Sequence, residues 1–222
     1  MKNLHIHIEV SPELFLKNPD STELGRKIVS SGAELINELG FEAFTFKKLG
    51  INIESPESSI YRYFENKHVF LIYLVSWYWG WIEYQIVFAT VNVGSPVEKL
   101  KKSISILIQS FNNGNQDSMI DEVVLRKIIF TESVKAYHTK DVDRENKKGY
   151  FKTFKQVVHR VSEIVLEINP LFEFPHMLIS TVIEGAHQQM YFAEHLPSLT
   201  DVEQGKDAIS EFYTNMVLKV IA

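Results

Sequence analysis

Hydrophobic positions recur at three- and four-residue spacing along most of the chain, the period of helices that bury one face. Leu24, Ile28, Leu35 and Leu39, with Ile36 beside them, predict a first helix. Asp20 followed by Glu23 has capping-box spacing and sets a carboxylate near the positive end of the helix dipole. Gly40 supplies the stop, because glycine tolerates the left-handed conformation that ends helices. A short helix over about 45–52 follows, and Ser55-Pro56 then gives a cap and a first-turn proline for a third helix ending near Phe64. Asn66 caps a long helix through Phe88 or beyond. Gly94-Ser95-Pro96 opens another, with Val97, Leu100, Ile104 and Ile108 along one face. Residues 112–115 read as a loop, and further helices are predicted at about 118–136, 144–168, 174–195 and 201–221. Strand-like alternation is confined to Leu4, Ile6, Ile8 and Val10. The pattern predicts an all-α protein of about nine helices, in which 1–21 is an extension, 22–66 a three-helix unit and 67–222 a larger helical domain.

Three helices of this length joined by tight turns make a helix-turn-helix. Phe46, Leu49, Ile53, Ile60 and Phe64 supply the buried faces, and Gly50 sits where a larger side chain would block close helix approach. Glu57, Ser58, Ser59 and Arg62 lie on the opposite face of the third helix. Lys47, Lys48, Arg62 and Lys67 form the basic cluster of this half.

The stretch from Gly40 to Leu71 resembles the TetR (tetracycline repressor-like) family. Gly40-Phe41 matches its glycine-aromatic pair, Thr45 the threonine opening its second helix, and Ile60-Tyr61-Arg62-Tyr63-Phe64 with Lys67 its aliphatic-Tyr-x-Tyr/His-Phe-x-x-Lys signature. The resemblance covers about residues 22–75. Glu54-Ser55-Pro56 stands where the family has Gly-Val-Ser, so the turn is expected to find another backbone conformation. The resemblance implies a helix-turn-helix domain on a helical effector-binding and dimerisation domain. It implies that Thr45 and Lys47 contact phosphates, and that Glu57, Ser58, Ser59 and Arg62 face base edges or nearby phosphates. Tyr61, Tyr63 and Lys67 would anchor the DNA backbone. The implied protein is a cytoplasmic homodimer that binds operator DNA and an unidentified small-molecule effector.

The last two helices carry apolar stripes, Ile179, Val182, Ile183, Ala186 and Met190 beside small Gly185, and Ile209, Phe212, Met216, Val217 and Val220. In the resembled family this pair forms the dimer interface; intramolecular packing explains the same stripes. The helix from residue 67 carries aromatics on more than one face, and Trp81, Tyr84, Phe88, His159, His187 and Tyr191 are the expected effector-lining residues. Ordinary core packing is the competing explanation for each.

Composition sharpens this picture in four ways. The 222 residues include no cysteine, which removes disulfides, thiolate metal sites and cysteine nucleophiles. The N-terminus lacks an apolar run of signal-peptide length, and the apolar stretch 68–93 is interrupted by Glu83 and Gln85, so no membrane span is expected. The net charge of −5 is unfavourable for binding nucleic acid, and residues 1–68 carry eight Lys/Arg against ten Asp/Glu, a balance of −2. A TetR-like sensor or interaction protein with weakened DNA binding is therefore the alternative. A helical metalloenzyme is a remote one. Glu65/His68 and Glu184/His187 have Glu-x-x-His spacing, but Glu65 falls in a connection, and His5 and His7 have no third ligand nearby. No phosphate loop, dinucleotide fingerprint or nucleophile elbow is present, so neither enzyme activity nor a cofactor is expected.

Overall fold

The computed structural model describes residues 8–108, 120–202 and 207–222. Leu4, Ile6, His5 and His7 of the arm and the predicted loop at 112–115 lie outside the described residues. Those described form eleven α-helices and no strand. The helices are α1 (Glu23–Ala43), α2 (Phe46–Asn52), α3 (Glu57–Ile60), α4 (Lys67–Thr90), α5 (Pro96–Ile108), α6 (Glu122–Glu132), α7 (Val134–Tyr137), α8 (Val142–Lys147), α9 (Lys152–Ile168), α10 (Pro175–His195) and α11 (Ala208–Ile221).

Several boundaries differ from the sequence reading for local reasons. Thr22, not Asp20, caps α1, its Oγ1 accepting from Gly25 N at 3.0 Å. Gly40 breaks the regular helix as expected, at φ +75°, although one more turn follows it. The segment predicted as one helix over 144–168 is two, because Gly149 takes φ +82° between α8 and α9. Asn66 does cap α4, its Oδ1 accepting from Val69 N at 2.9 Å.

The chain divides into two compact units, and the division falls inside α4, after Gly80. The first unit takes the described residues up to Gly80 and from Ile120 to Lys152. There α1 packs on α6, and a chain of aromatic contacts joins α2, α3 and the start of α4. Phe64 lies edge-on to Phe70 (4.9 Å) and Tyr73 (5.2 Å), Phe44 stacks on Phe70 (5.8 Å), and Phe46 meets Tyr61 (5.1 Å). The motif's aromatics are thus the core that seats the short helices.

The second unit holds the rest of α4 with α5, α9, α10 and α11. Ile179, Val182, Ile183, Ala186 and Met190 are buried within this unit, as is Val217. The expected α10 interface stripe is therefore core. A Cβ on Gly185 would strike the Tyr213 hydroxyl, so this glycine admits α11 of the same chain.

His187 is buried in the same layer, and desolvation pushes its imidazole down to about 3. The folded state refuses a proton that the unfolded chain accepts near the ordinary imidazole value of about 6.5. Its neutral burial is therefore tolerated at neutral pH, and stability falls as pH drops from that value toward 3, by up to about 1.4 kcal/mol per unit. Urea midpoints measured between pH 7 and 5 are expected to fall more steeply for the wild type than for His187→Gln; equal slopes would contradict this burial.

Candidate nucleic-acid interface and effector groove

Thr45 is the N-cap of α2, its hydroxyl accepting from Lys48 N at 3.2 Å. Leu49 and Ile53 bury the inner face, and Lys27 of α1 donates to Ile53 O at 3.1 Å, tying the end of α2 to the first helix. The turn closes tightly, with Ser55 N donating to Gly50 O at 2.9 Å. A Cβ built on Gly50 would lie 2.7 Å from Ser55 O and 3.3 Å from Glu57 N. Backbone fills that space, and only glycine leaves room for it.

Glu54 has φ +56°. It takes the left-handed step that glycine makes without strain, in a turn where no glycine stands. A side chain there costs about 1–2 kcal/mol against the carbonyl that follows. Glu54→Gly is expected to raise the unfolding free energy by roughly 0.5–1 kcal/mol, less than the full strain because glycine loses more entropy on folding. A urea titration showing no gain would contradict the strain.

Pro56 occupies the cap position itself, and α3 is a single turn, Glu57–Ile60, continued by turns through Tyr63 instead of running as helix to Phe64. The proline ring has no acceptor atom for a backbone amide, so this helix starts without a side-chain cap, although Pro56 O accepts from Ser59 N at 2.9 Å. Ile60 points inward; Ser58 and Arg62 are exposed, and Glu57 and Ser59 half-buried. Tyr61 packs its ring on Phe46 while its hydroxyl donates to Glu57 Oε1 at 3.3 Å.

Two expected DNA anchors have internal roles. Tyr63 is buried, with its hydroxyl 2.7 Å from Thr22 Oγ1, because the hydrogen bond to the α1 cap lets a polar tip enter the core. Lys67 donates to the carbonyls of Phe41, Glu42 and Phe44 at 3.0, 3.1 and 3.2 Å. These three bonds use the whole donor capacity of an ammonium group, and they satisfy carbonyls at the negative end of α1. Lys48 Nζ reaches Ala43 O at 2.7 Å. Lys47 and Arg62 make no side-chain hydrogen bond or ion pair among the described residues and are the cations this edge leaves open.

Glu132 of α6 was invisible to sequence reasoning. Gly40 leaves Phe41 N–H outside the regular helical pattern, and Glu132 Oε1 accepts it at 3.0 Å. Lys135 clamps the other oxygen at 2.7 Å, and that hydrogen bond raises its ammonium above the ordinary value. The partners are 91 positions apart, so no local pattern announces them.

The second unit contains a groove of ≈600 Å³ between α4, α5 and α9. Val87, Val91 and Ile164 give it an apolar floor. On its rim Arg160 donates from Nε (3.2 Å) and Nη2 (2.7 Å) to Glu83 Oε1, and Lys99 pairs with Glu167 at 2.9 Å. Of the six expected lining residues, His159 alone lies on it. Trp81 is buried and stacks on Tyr84 (5.5 Å), which stacks on the exposed Phe88 (6.2 Å). His187 is core, and Tyr191 is exposed against the His195 ring at 4.5 Å. The α4 residues that do line the groove, Glu83, Val87 and Thr90, fall beside the aromatic positions, and Val91 follows the helix end. Periodicity identifies the helix, and the groove lies along a different face from its aromatic positions.

The Glu-x-x-His pairs do not assemble. His68 Nε2 bonds Glu145 Oε1 at 3.0 Å while Glu65 is exposed; His187 is buried while Glu184 is exposed. Among the described residues no three carboxylate or imidazole side chains stand together as a metal site, and no helix is long and apolar enough to cross a membrane.

No protein-family model matches the sequence, and no curated protein matches it. Solved structures do. AibR in complex with isovaleryl coenzyme A and operator DNA aligns with a TM-score of 0.59 at 16% identity, over 86% of this chain and 97% of that one. A bacterial regulatory protein in the tetR family from Rhodococcus RHA1 aligns at 0.61 and 9% identity, over 90% of this chain and 98% of its own. The superantigen PfiT aligns at 0.58 and 15%, over 89% and 96%. At such identities the likeness is one of fold, and the chain has the fold of the TetR-family transcriptional regulators.

Proposed function

We propose that this chain is a DNA-binding transcriptional regulator, a repressor that acts as a homodimer in the cytoplasm and responds to a small-molecule effector. The observation that carries the reading is the open polar edge of the second and third helices. Ser58 and Arg62 face solvent, with Lys47 and Tyr61 alongside. Such an edge suits a major groove, where arginine pairs with guanine and serine with either base type, and lysine meets phosphate.

Each module offers few free cations, so one alone binds weakly. Two on a dimer share the work. Support for a dimer comes from the outward faces of α10 and α11, which leave Met177, Phe212 and Val220 between 51% and 66% exposed. These side chains, not the buried α10 stripe, are the interface residues of this reading. The groove supports an effector site, its apolar floor and paired charges suiting a small ligand with both characters; AibR, of the same fold, carries isovaleryl coenzyme A. An effector against Glu83, Val87 and Thr90 acts on α4, the helix that begins at Lys67, and need only favour one of its positions to alter DNA affinity.

The test is retardation of the DNA flanking its own gene, titrated with salt. One to two phosphates per module, met by the open cations, give a dimer slope of roughly −2 to −4 in log affinity against log salt. The second reading, a sensor or interaction protein with weakened DNA binding, is favoured by Glu54 and Glu57 beside the edge, and absence of retardation at low salt selects it.

A further inference from the structure

We propose that His159 and His176 bind a divalent transition ion at the mouth of the groove, joining α9 to α10. His159 Nδ1 lies 3.3 Å from His176 Nε2, with the rings 16° from parallel. A tetrahedral ion held at about 2.0–2.1 Å by two imidazoles sets their nitrogens about 3.3–3.4 Å apart. The pair already has that separation, and both side chains are exposed, so modest rotation turns the two lone pairs toward one ion. Without an ion the same contact is an N–H···N hydrogen bond, which keeps the rings together for capture.

Glu163 stands one turn along α9, its Oε1 4.0 Å from His159 Nδ1. This is the i,i+4 spacing with which one helix supplies two ligands. No third ligand is in coordinating position among the described residues. The ion therefore fills its shell with water, and with Glu163 once that exposed side chain turns. His159 and Glu163 both line the groove, so the water positions open toward it. Neutral imidazole selects zinc, nickel or copper over magnesium or calcium. Arg160, next to His159 on α9, is engaged by Glu83. The site rests on this geometry and is independent of the DNA-binding reading.

The experiment is calorimetric titration of the full chain with Zn²⁺, with Mg²⁺ as the control ion, together with thermal melts in each. One Zn²⁺ per protomer is expected, with a raised melting midpoint and no response to Mg²⁺. His176→Ala should weaken Zn²⁺ binding at least about tenfold and abolish the shift, while its metal-free melt stays that of the wild type. Glu163→Gln should cost about two- to fivefold, and His195→Ala nothing. Absence of stoichiometric Zn²⁺ binding, or equal affinities for His176→Ala and His195→Ala, would overturn the site.

Discussion

Gly50→Val is expected to lower the unfolding free energy by about 2–4 kcal/mol and to abolish retardation of operator DNA. The added Cβ meets Ser55 O at 2.7 Å, and that atom belongs to the backbone of the turn. Relief therefore moves the turn and α3 with it, and overpacking of this kind costs about 1–3 kcal/mol before the valine methyls are counted. Gly50→Ala is the sharper comparison. Alanine gains about 1 kcal/mol of helix propensity over glycine, so a net loss in that variant shows that the clash outweighs it. Urea unfolding followed by circular dichroism measures both. A Gly50→Val protein as stable as the wild type would mean that the turn does not close on α2 as described.

Lys67→Met is the second large effect. The substitution keeps a long apolar stem but leaves the carbonyls of Phe41, Glu42 and Phe44 without their donor. It also removes the ammonium 4.7 Å from the centre of the Phe41 ring. Hydrogen bonds from a charged group contribute about 1.5–3 kcal/mol each, and exposure of part of this site holds the expected total loss to about 2–3 kcal/mol. The decisive readout is the salt dependence of DNA binding. If Lys67 only positions the module, the variant binds more weakly at every salt concentration with an unchanged slope. If it met a phosphate, the slope would shrink by about one for each module.

Lys67 also illustrates what the sequence disclosed. The Tyr-x-Tyr-Phe-x-x-Lys pattern located the helix-turn-helix to within a few residues, because it encodes an aromatic core and a helix-end clamp that must lie at fixed spacing. The same pattern does not disclose that Tyr63 and Lys67 bond within their own fold. A tyrosine or lysine serving a phosphate and one serving its own fold look alike in one dimension, and only the position of Thr22 and of the α1 carbonyls separates them. The left-handed step at Glu54 is hidden in the sequence for a related reason. Composition shows that glycine is missing but not that the surrounding bonds, Ser55 N to Gly50 O among them, impose the left-handed step on whatever stands there. In the C-terminal part the helices were legible and their faces were not. The α10 stripe of Ile179, Val182 and Ile183 has the period of an interface and of a core, and burial within the protomer decides for the core. The groove leaves no mark in the pattern because its lining is aliphatic and charged, unlike the conspicuous aromatics of α4.

The central claim is that the edge carrying Ser58 and Arg62 reads a DNA sequence. Footprinting the wild type and Arg62→Ala on the DNA flanking its own gene tests it most directly. The account predicts a protected site with two half-sites about 34–36 Å apart for the wild type. For Arg62→Ala it predicts loss of that protection with residual, sequence-independent retardation at low salt. A wild type that protects nothing at low salt, or an Arg62→Ala protein that protects the same bases equally well, would contradict it.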